Sequence, residues 1–191
     1  NNSIITEYKK QELPNYEVFD EKRYFKPGNS PGIFEVNGFR VGLSVCEDIW
    51  HQKVITQLYE KGADLVLNIN ASPFHLNKIQ ERKNLIAGHA SKFSMPIVYA
   101  NQVGGQDELV FDGTSMAMDS KGKQVLQLAK FEEDQAVVSF LSQEDENIVS
   151  HKNEVIPEDS ELEEVYKALV LGAKDYINKN KFPGVLIGSS G

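Results

Sequence analysis

The chain has 191 residues, 40% hydrophobic and 25% charged, which fits one soluble globular domain or slightly more. A net charge of −8 and a pI near 5.1 argue against nucleic acid or a membrane surface as the main partner. The lone cysteine excludes an intrachain disulfide framework and suits a reducing, cytoplasmic setting, while no apolar run approaches the roughly 18 residues that would span a bilayer.

Taken in order, residues 3–6 fit a short strand, and a first residue that is Asn1 rather than methionine suggests a trimmed or partial chain. The stretch from Tyr8 to Phe25 is polar, charged and aromatic, with Pro14-Asn15 as a loop mark and Pro27-Gly28 and Pro31-Gly32 as its close. A loop of about 20 residues is long for a connector, which raises a functional loop to even odds with a solvated one. Asn37-Gly38 between β-type runs at 33–36 and 39–45 predicts a hairpin with a type I′ turn. Its second strand delivers Cys46. Residues 50–61 read as a helix stopped by Gly62, 64–69 as a strand buried on both faces, and 70–75 as a loop at that strand's carboxyl end. A helix at 78–94, a buried strand at 97–100 and a loop at 101–106 follow. The β-α-β-α-β order then gives way to short antiparallel strands at 115–118, 124–129 and 136–141. Residues 142–157 are polar, acidic and almost without periodicity, as in a linker. Ser160 to Glu163 matches a capping box ahead of a helix that runs to Lys179, and 184–188 reads as a short buried strand entering a Gly-Ser turn.

The chemistry gathers at Cys46-Glu47-Asp48-Ile49-Trp50. A nucleophile where a strand turns into a helix is exposed at the strand's end, beside backbone N–H groups that can favour a thiolate or stabilise an oxyanion. The alternative is a buried structural cysteine. Cys46 needs a nearby base or cation, because an unperturbed thiol is only a few per cent thiolate at pH 7. His51, His75, His89 and His151 stand in no Cys–His signature, and no pair among them has convincing metal spacing. Lysine and glutamate are the other option beside a Cys–His pair.

Three blocks decide the matter: Tyr8-Lys9-Lys10-Gln11-Glu12-Leu13-Pro14-Asn15-Tyr16, Val18-Phe19-Asp20-Glu21-Lys22-Arg23-Tyr24-Phe25 and Cys46-Glu47-Asp48-Ile49-Trp50. They resemble the nitrilase superfamily and, more closely, the glutaminase domain of glutamine-dependent NAD synthetases. Asn68-Ile69-Asn70-Ala71-Ser72-Pro73-Phe74 and Gly104-Gly105-Gln106-Asp107-Glu108-Leu109-Val110-Phe111-Asp112-Gly113 look like the same subfamily. Gly188-Ser189-Ser190-Gly191 looks like the start of the ATP-binding, pyrophosphate-cradling loop of its synthetase domain.

The resemblance implies a Glu-Lys-Cys triad. Cys46 would attack the glutamine amide, Lys10 would favour the thiolate and stabilise the oxyanion with the Glu47 N–H, and Glu21 would position Lys10. Tyr16, Glu47 and Ser72 match positions that would line the glutamine pocket. Without the resemblance, Lys10 reads as a solvated lysine, Glu47 as a helix N-terminal acid and Ser72 as a turn residue. The implied fold is α/β: a nitrilase-like α-β-β-α sandwich over 1–141, a linker over 142–158, and from 159 to 191 the first helix and strand of an ATP-pyrophosphatase-like domain. The glutaminase domain would need no cofactor or metal, whereas the synthetase domain would use ATP and Mg2+ on deamido-NAD.

The family's general-base glutamate stands well upstream of the lysine block, and no glutamate here occupies that motif. The expectation is therefore a piece of a longer enzyme, impaired in hydrolysis, with exposed core surface and assembly into a homo-oligomer. Two rivals stand beside it: a free-standing amidase of the superfamily, and a non-catalytic module that serves assembly or binding.

Overall fold

A computed structural model describes residues 3–141, 148–150 and 159–189. A six-stranded mixed sheet dominates it, formed in spatial order by residues 32–36, 39–45, 65–70, 97–101, 116–118 and 124–127. Strands β1 (Gly32–Val36) and β2 (Phe39–Val45) form the expected hairpin. Asn37 and Gly38 adopt φ of 50° and 82°, the left-handed pair that a type I′ turn requires. Parallel to β2 run β3 (Leu65–Asn70) and β4 (Ile97–Asn101), so all three strands end at one edge of the sheet. The antiparallel strands β7 (Met116–Met118) and β8 (Gln124–Gln127) complete it.

Between the parallel strands lie α2 (Gln52–Glu60) and α3 (Lys78–Phe93), both packed on one face. The core there joins Ile55 and Leu58 of α2, Ile86 and Ala90 of α3, and Val66, Ile97, Tyr99, Met116 and Met118 of the sheet. The opposite face is open in part: Leu43, Leu67 and Val98 are half-buried and Ile69 is 61% exposed. The fold is thus α/β, and these residues supply a sheet and the helix layer on one side of it.

Four expectations are corrected. Residues 3–6 form no strand; their only bond to the hairpin is Thr6 Oγ1 to the Ile33 carbonyl. The short helix α1 (Glu21–Tyr24) interrupts the long loop. The segment read as the loop 101–106 contains β5 (Val103–Gln106), which pairs with β6 (Leu109–Asp112) as a separate hairpin. Glycines at 104 and 105 hid that strand, since glycine is depleted in strands. Residues 184–188 are irregular and exposed, Leu186 fully so, because no described strand lies beside them to complete a ladder.

Strand β9 (Val138–Phe140) pairs with β10 (Ile148–Ser150), so the expected linker contains a strand; the rest of it lies outside the described residues. Helix α4 (Glu161–Lys179) starts on the expected capping box: Ser160 Oγ accepts the Glu163 N–H, and Glu163 accepts the Ser160 N–H at 2.7 Å. It lies on the β5–β6 hairpin, with Asp175 accepting the Gly105 N–H at 2.7 Å and Lys179 donating to the Gly105 carbonyl. A Cβ built on Gly105 would stand 2.9 Å from the Cα of Gly172, so the contact depends on two glycines meeting.

Candidate active site

The carboxyl ends of β2, β3 and β4 bring together Cys46, Asn70-Ala71 and Asn101. Cys46 opens a single 3-10 turn (Cys46–Trp50) with φ of 47°, a left-handed conformation that is uncommon outside glycine. The chain reverses sharply there and presents the side chain at the strand's end. The thiol lines a cavity of about 680 Å³ together with Lys10, Glu21, Phe19, Asn70 and Ala71.

Lys10 stands in the long loop, and its Nζ donates to both oxygens of Glu21 at 2.7 Å. Glu21 is held on α1, so this four-residue helix orients the lysine's partner. Burial pushes the Cys46 thiol above its ordinary pKa. The positive charge of Lys10 and the backbone N–H of Ala71 pull it back in part, while Glu47 and Glu21 push it up further. The resting thiol at neutral pH is therefore mostly protonated, and the lysine's influence, though present, is smaller than that of burial.

Tyr16 and Glu47 also meet. The Tyr16 hydroxyl donates to Glu47 Oε2 at 2.9 Å, and His51 Nε2 lies 3.4 Å from Glu47 Oε1. Burial, then Glu47, raises the Tyr16 pKa, so the phenol stays a donor. These three residues line a neighbouring cavity of about 710 Å³, which shares Leu13, Phe25 and Lys26 with the first. Ser72 lies elsewhere. It is 5% exposed; its N–H donates to Asn101 Oδ1, and its carbonyl and Oγ accept from Arg82. Gly188 and Ser189 stand exposed and irregular, far in sequence from any described cradle, and Ser190 and Gly191 lie outside the described residues. Of the histidines, His75 bonds the Leu76 carbonyl and His89 the Ile49 carbonyl, while His151 is outside the described residues.

Two functional neighbours escaped the sequence reading. Arg82 is fully buried; its Nη1 donates to both oxygens of Asp112 at 2.8 Å, and its Nη2 holds the carbonyls of Ser72 and Pro73. That clamp fixes the loop whose Ala71 N–H reaches Cys46. Asp48, also fully buried, gathers backbone N–H groups from both sides of the site. Arg82 shares the buried face of α3 with Ile79 and Ile86, and a charge at that spacing was the available signal. Asp48 offered none beyond an acid in a first turn.

The profile of carbon-nitrogen hydrolases matches residues 1–143. The chain belongs to the carbon-nitrogen hydrolase family. Among hydrolases of this kind, the amidase of Nesterenkonia AN1, from the nitrilase superfamily, superposes with a TM-score of 0.57 at 28% identity, over 64% of this chain and 46% of that one. The glutamine-dependent NAD+ synthetase of Acinetobacter baumannii, solved with ADP, superposes with a TM-score of 0.88 at 40% identity, over 93% of this chain and 33% of that one. In sequence, this chain is 37% identical to the glutamine-dependent NAD(+) synthetase of Acinetobacter baylyi over 98% of its length, and 38% identical to that of Aquifex aeolicus. It spans 34% and 38% of those two proteins. No described helix is long and apolar enough to cross a membrane.

Proposed function

We propose that this chain hydrolyses the side-chain amide of glutamine at Cys46, as the ammonia-releasing part of a glutamine-dependent NAD synthetase. The observation that carries the reading is the convergence of Cys46 with the Lys10–Glu21 pair on one cavity at the ends of β2 and β3. Likeness along nearly the whole chain to proteins of that name supports it. So does the Nesterenkonia amidase, in a mutant of which the active-site cysteine takes up acrylamide and the acetamide moiety of fluoroacetamide.

In this reading Cys46 Sγ gives up its proton and attacks the amide carbon. The S–C bond forms, the C–N bond breaks, and the nitrogen takes a proton and leaves as ammonia. Water then cleaves the γ-glutamyl thioester, which yields glutamate and restores the thiol. Lys10 and the Glu47 N–H stabilise the oxyanion of each tetrahedral stage. Glu21 holds Lys10. Tyr16 and Glu47 recognise the glutamine, while Ser72, expected from the resemblance to line the same pocket, holds the loop after β3 through its bonds to Arg82. Glu21 has both oxygens on Lys10, which suits it to position the lysine instead of taking the thiol proton.

The division into a hydrolase unit at 1–141, a linker at 142–158 and the start of an ATP-binding unit at 159–191 belongs to the same proposal, as do the cytoplasm and a homo-oligomer. Ammonia would amidate deamido-NAD at the second site, with ATP and Mg2+. The described residues do not fit those groups: Gly188 and Ser189 form no cradle, and no cluster of His, Cys, Asp and Glu among the described residues could hold a metal ion.

The test is release of AMP and of glutamate by the intact protein given deamido-NAD, ATP and glutamine, with Cys46→Ala as comparison. Loss of glutamine-driven turnover in Cys46→Ala, with turnover on free ammonia retained, is the expected result. Hydrolysis of simple amides without AMP release would favour the free-standing amidase instead, a reading that the likeness to the Nesterenkonia enzyme keeps in view. Wild-type glutamine hydrolysis in Cys46→Ala would sink both.

A further inference from the structure

Asp48 lies two residues past Cys46 and is fully buried. Its Oδ1 accepts the N–H of Gln11 at 3.0 Å and of Glu12 at 2.8 Å. Its Oδ2 accepts the N–H of Val45 at 3.0 Å and the hydroxyl of Tyr8 at 2.8 Å. All four donors are neutral. Two belong to the backbone just after Lys10, one to the residue just before Cys46, and one to the residue two places before Lys10. Burial and the Asp48 charge raise the Tyr8 pKa, so its hydroxyl remains a donor.

The segment carrying Lys10 is irregular and belongs to no sheet. Its other ties run elsewhere: the Lys10 carbonyl to the Gly28 N–H, Lys10 Nζ to Glu21, and the side chains of Gln11 and Glu12 to Gln57 and Lys53 of α2. One carboxylate therefore joins the loop of the ammonium to the turn of the thiol. Only a carboxylate offers enough lone pairs for four donors at once. An amide in its place turns an NH2 group toward one pair of them.

We propose that Asp48 is a positioning residue: by binding Gln11, Glu12, Val45 and Tyr8 it sets Lys10 against Cys46, and so governs the reactivity of the thiol. The inference rests on the reading that Lys10 and Cys46 act together. Other charged groups facing the thiol are Glu47 and Glu21, with Lys9 and Lys26 on the cavity wall and the phenols of Tyr16 and Tyr99 within electrostatic reach.

The test is the rate of Cys46 alkylation by iodoacetamide as a function of pH, read by intact mass on the intact protein. Wild type, Lys10→Met, Asp48→Asn and the double variant are compared. Lys10→Met should raise the midpoint and slow alkylation at pH 7 about tenfold, the size of a shift of about one pKa unit. Asp48→Asn should slow it about threefold or more in the same direction. The double variant should be no slower than Lys10→Met alone, because Asp48 acts through Lys10. A merely structural Asp48 would leave the midpoint in place, or would add its effect to that of Lys10→Met, and either result overturns the inference. An unshifted Lys10→Met overturns the pairing of Lys10 with Cys46 itself, which is a different failure. Should Asp48→Asn not fold, Tyr8→Phe removes one donor and leaves the backbone bonds. Slowing of about twofold that vanishes in the Lys10→Met background is then expected, and an unchanged midpoint overturns the proposal.

Discussion

At the scale of single residues, the site depends on a few buried charges. The Cys46 thiol is raised by burial more than it is lowered by Lys10 and the Ala71 N–H. Alkylation by a neutral reagent should therefore rise with pH through a midpoint above the ordinary thiol value, and a pH profile read by mass spectrometry checks it. Arg82 and Asp112 form an ion pair that is 0% exposed on both sides. Arg82→Met would leave Asp112 buried with only Thr114 as a side-chain donor, and a loss of about 3–5 kcal/mol of stability is expected in denaturant unfolding. His89 is buried against the Ile49 carbonyl, and burial lowers its pKa below the ordinary value. The unfolded chain then binds the His89 proton first as pH falls. This contribution to stability is complete above about pH 6.5 and is lost as pH drops below it. Unfolding measured between pH 7 and 5 should show that slope, and His89→Gln should flatten it.

At the scale of elements, the chain's periodic segments spoke plainly and its irregular ones did not. The hairpin at Asn37-Gly38, helices α2 and α3, the parallel strands β3 and β4, and α4 with its capping box all follow from local pattern. Strand β5 did not, because Gly104 and Gly105 carry no strand propensity. Their reason is tertiary: Gly105 lets α4 approach so closely that a Cβ there would stand 2.9 Å from the Gly172 Cα. Gly105→Val should lift α4 from the hairpin while leaving the main sheet in place. Hydrogen exchange is expected to show faster exchange in α4 and in β5–β6, with β2, β3 and β4 unchanged. Equal protection everywhere would mean that the close approach is not required. Residues 184–188 teach the converse, since an apolar run becomes a strand only when a neighbour completes its hydrogen bonds.

At the scale of the whole molecule, two of the apolar surfaces that the described residues expose bear on assembly. One is the open face of the sheet at Ile69; the other is a stripe on α4 of Leu162, Tyr166, Leu169, Val170 and Tyr176, each between 47% and 83% exposed. Patches of that kind favour association. Sedimentation of the 191-residue chain should show concentration-dependent self-association, reduced in a Leu162→Glu, Leu169→Glu variant. A monomer at all concentrations would show that the stripe alone drives none.

The sequence by itself determined the periodic elements, the strand-to-turn position of Cys46 and the blocks that point to Lys10, Glu21, Tyr16 and Glu47. Local propensity and motif spacing are properties of neighbouring residues, so they can be read along the chain. Only the tertiary structure decided that Ser72 is tied to Arg82 instead of the cavity around Cys46, and that Asp48 bonds residues 36 and 37 positions away. Burial decides these matters. A charge removed from water must find partners across space, and no local pattern records which ones.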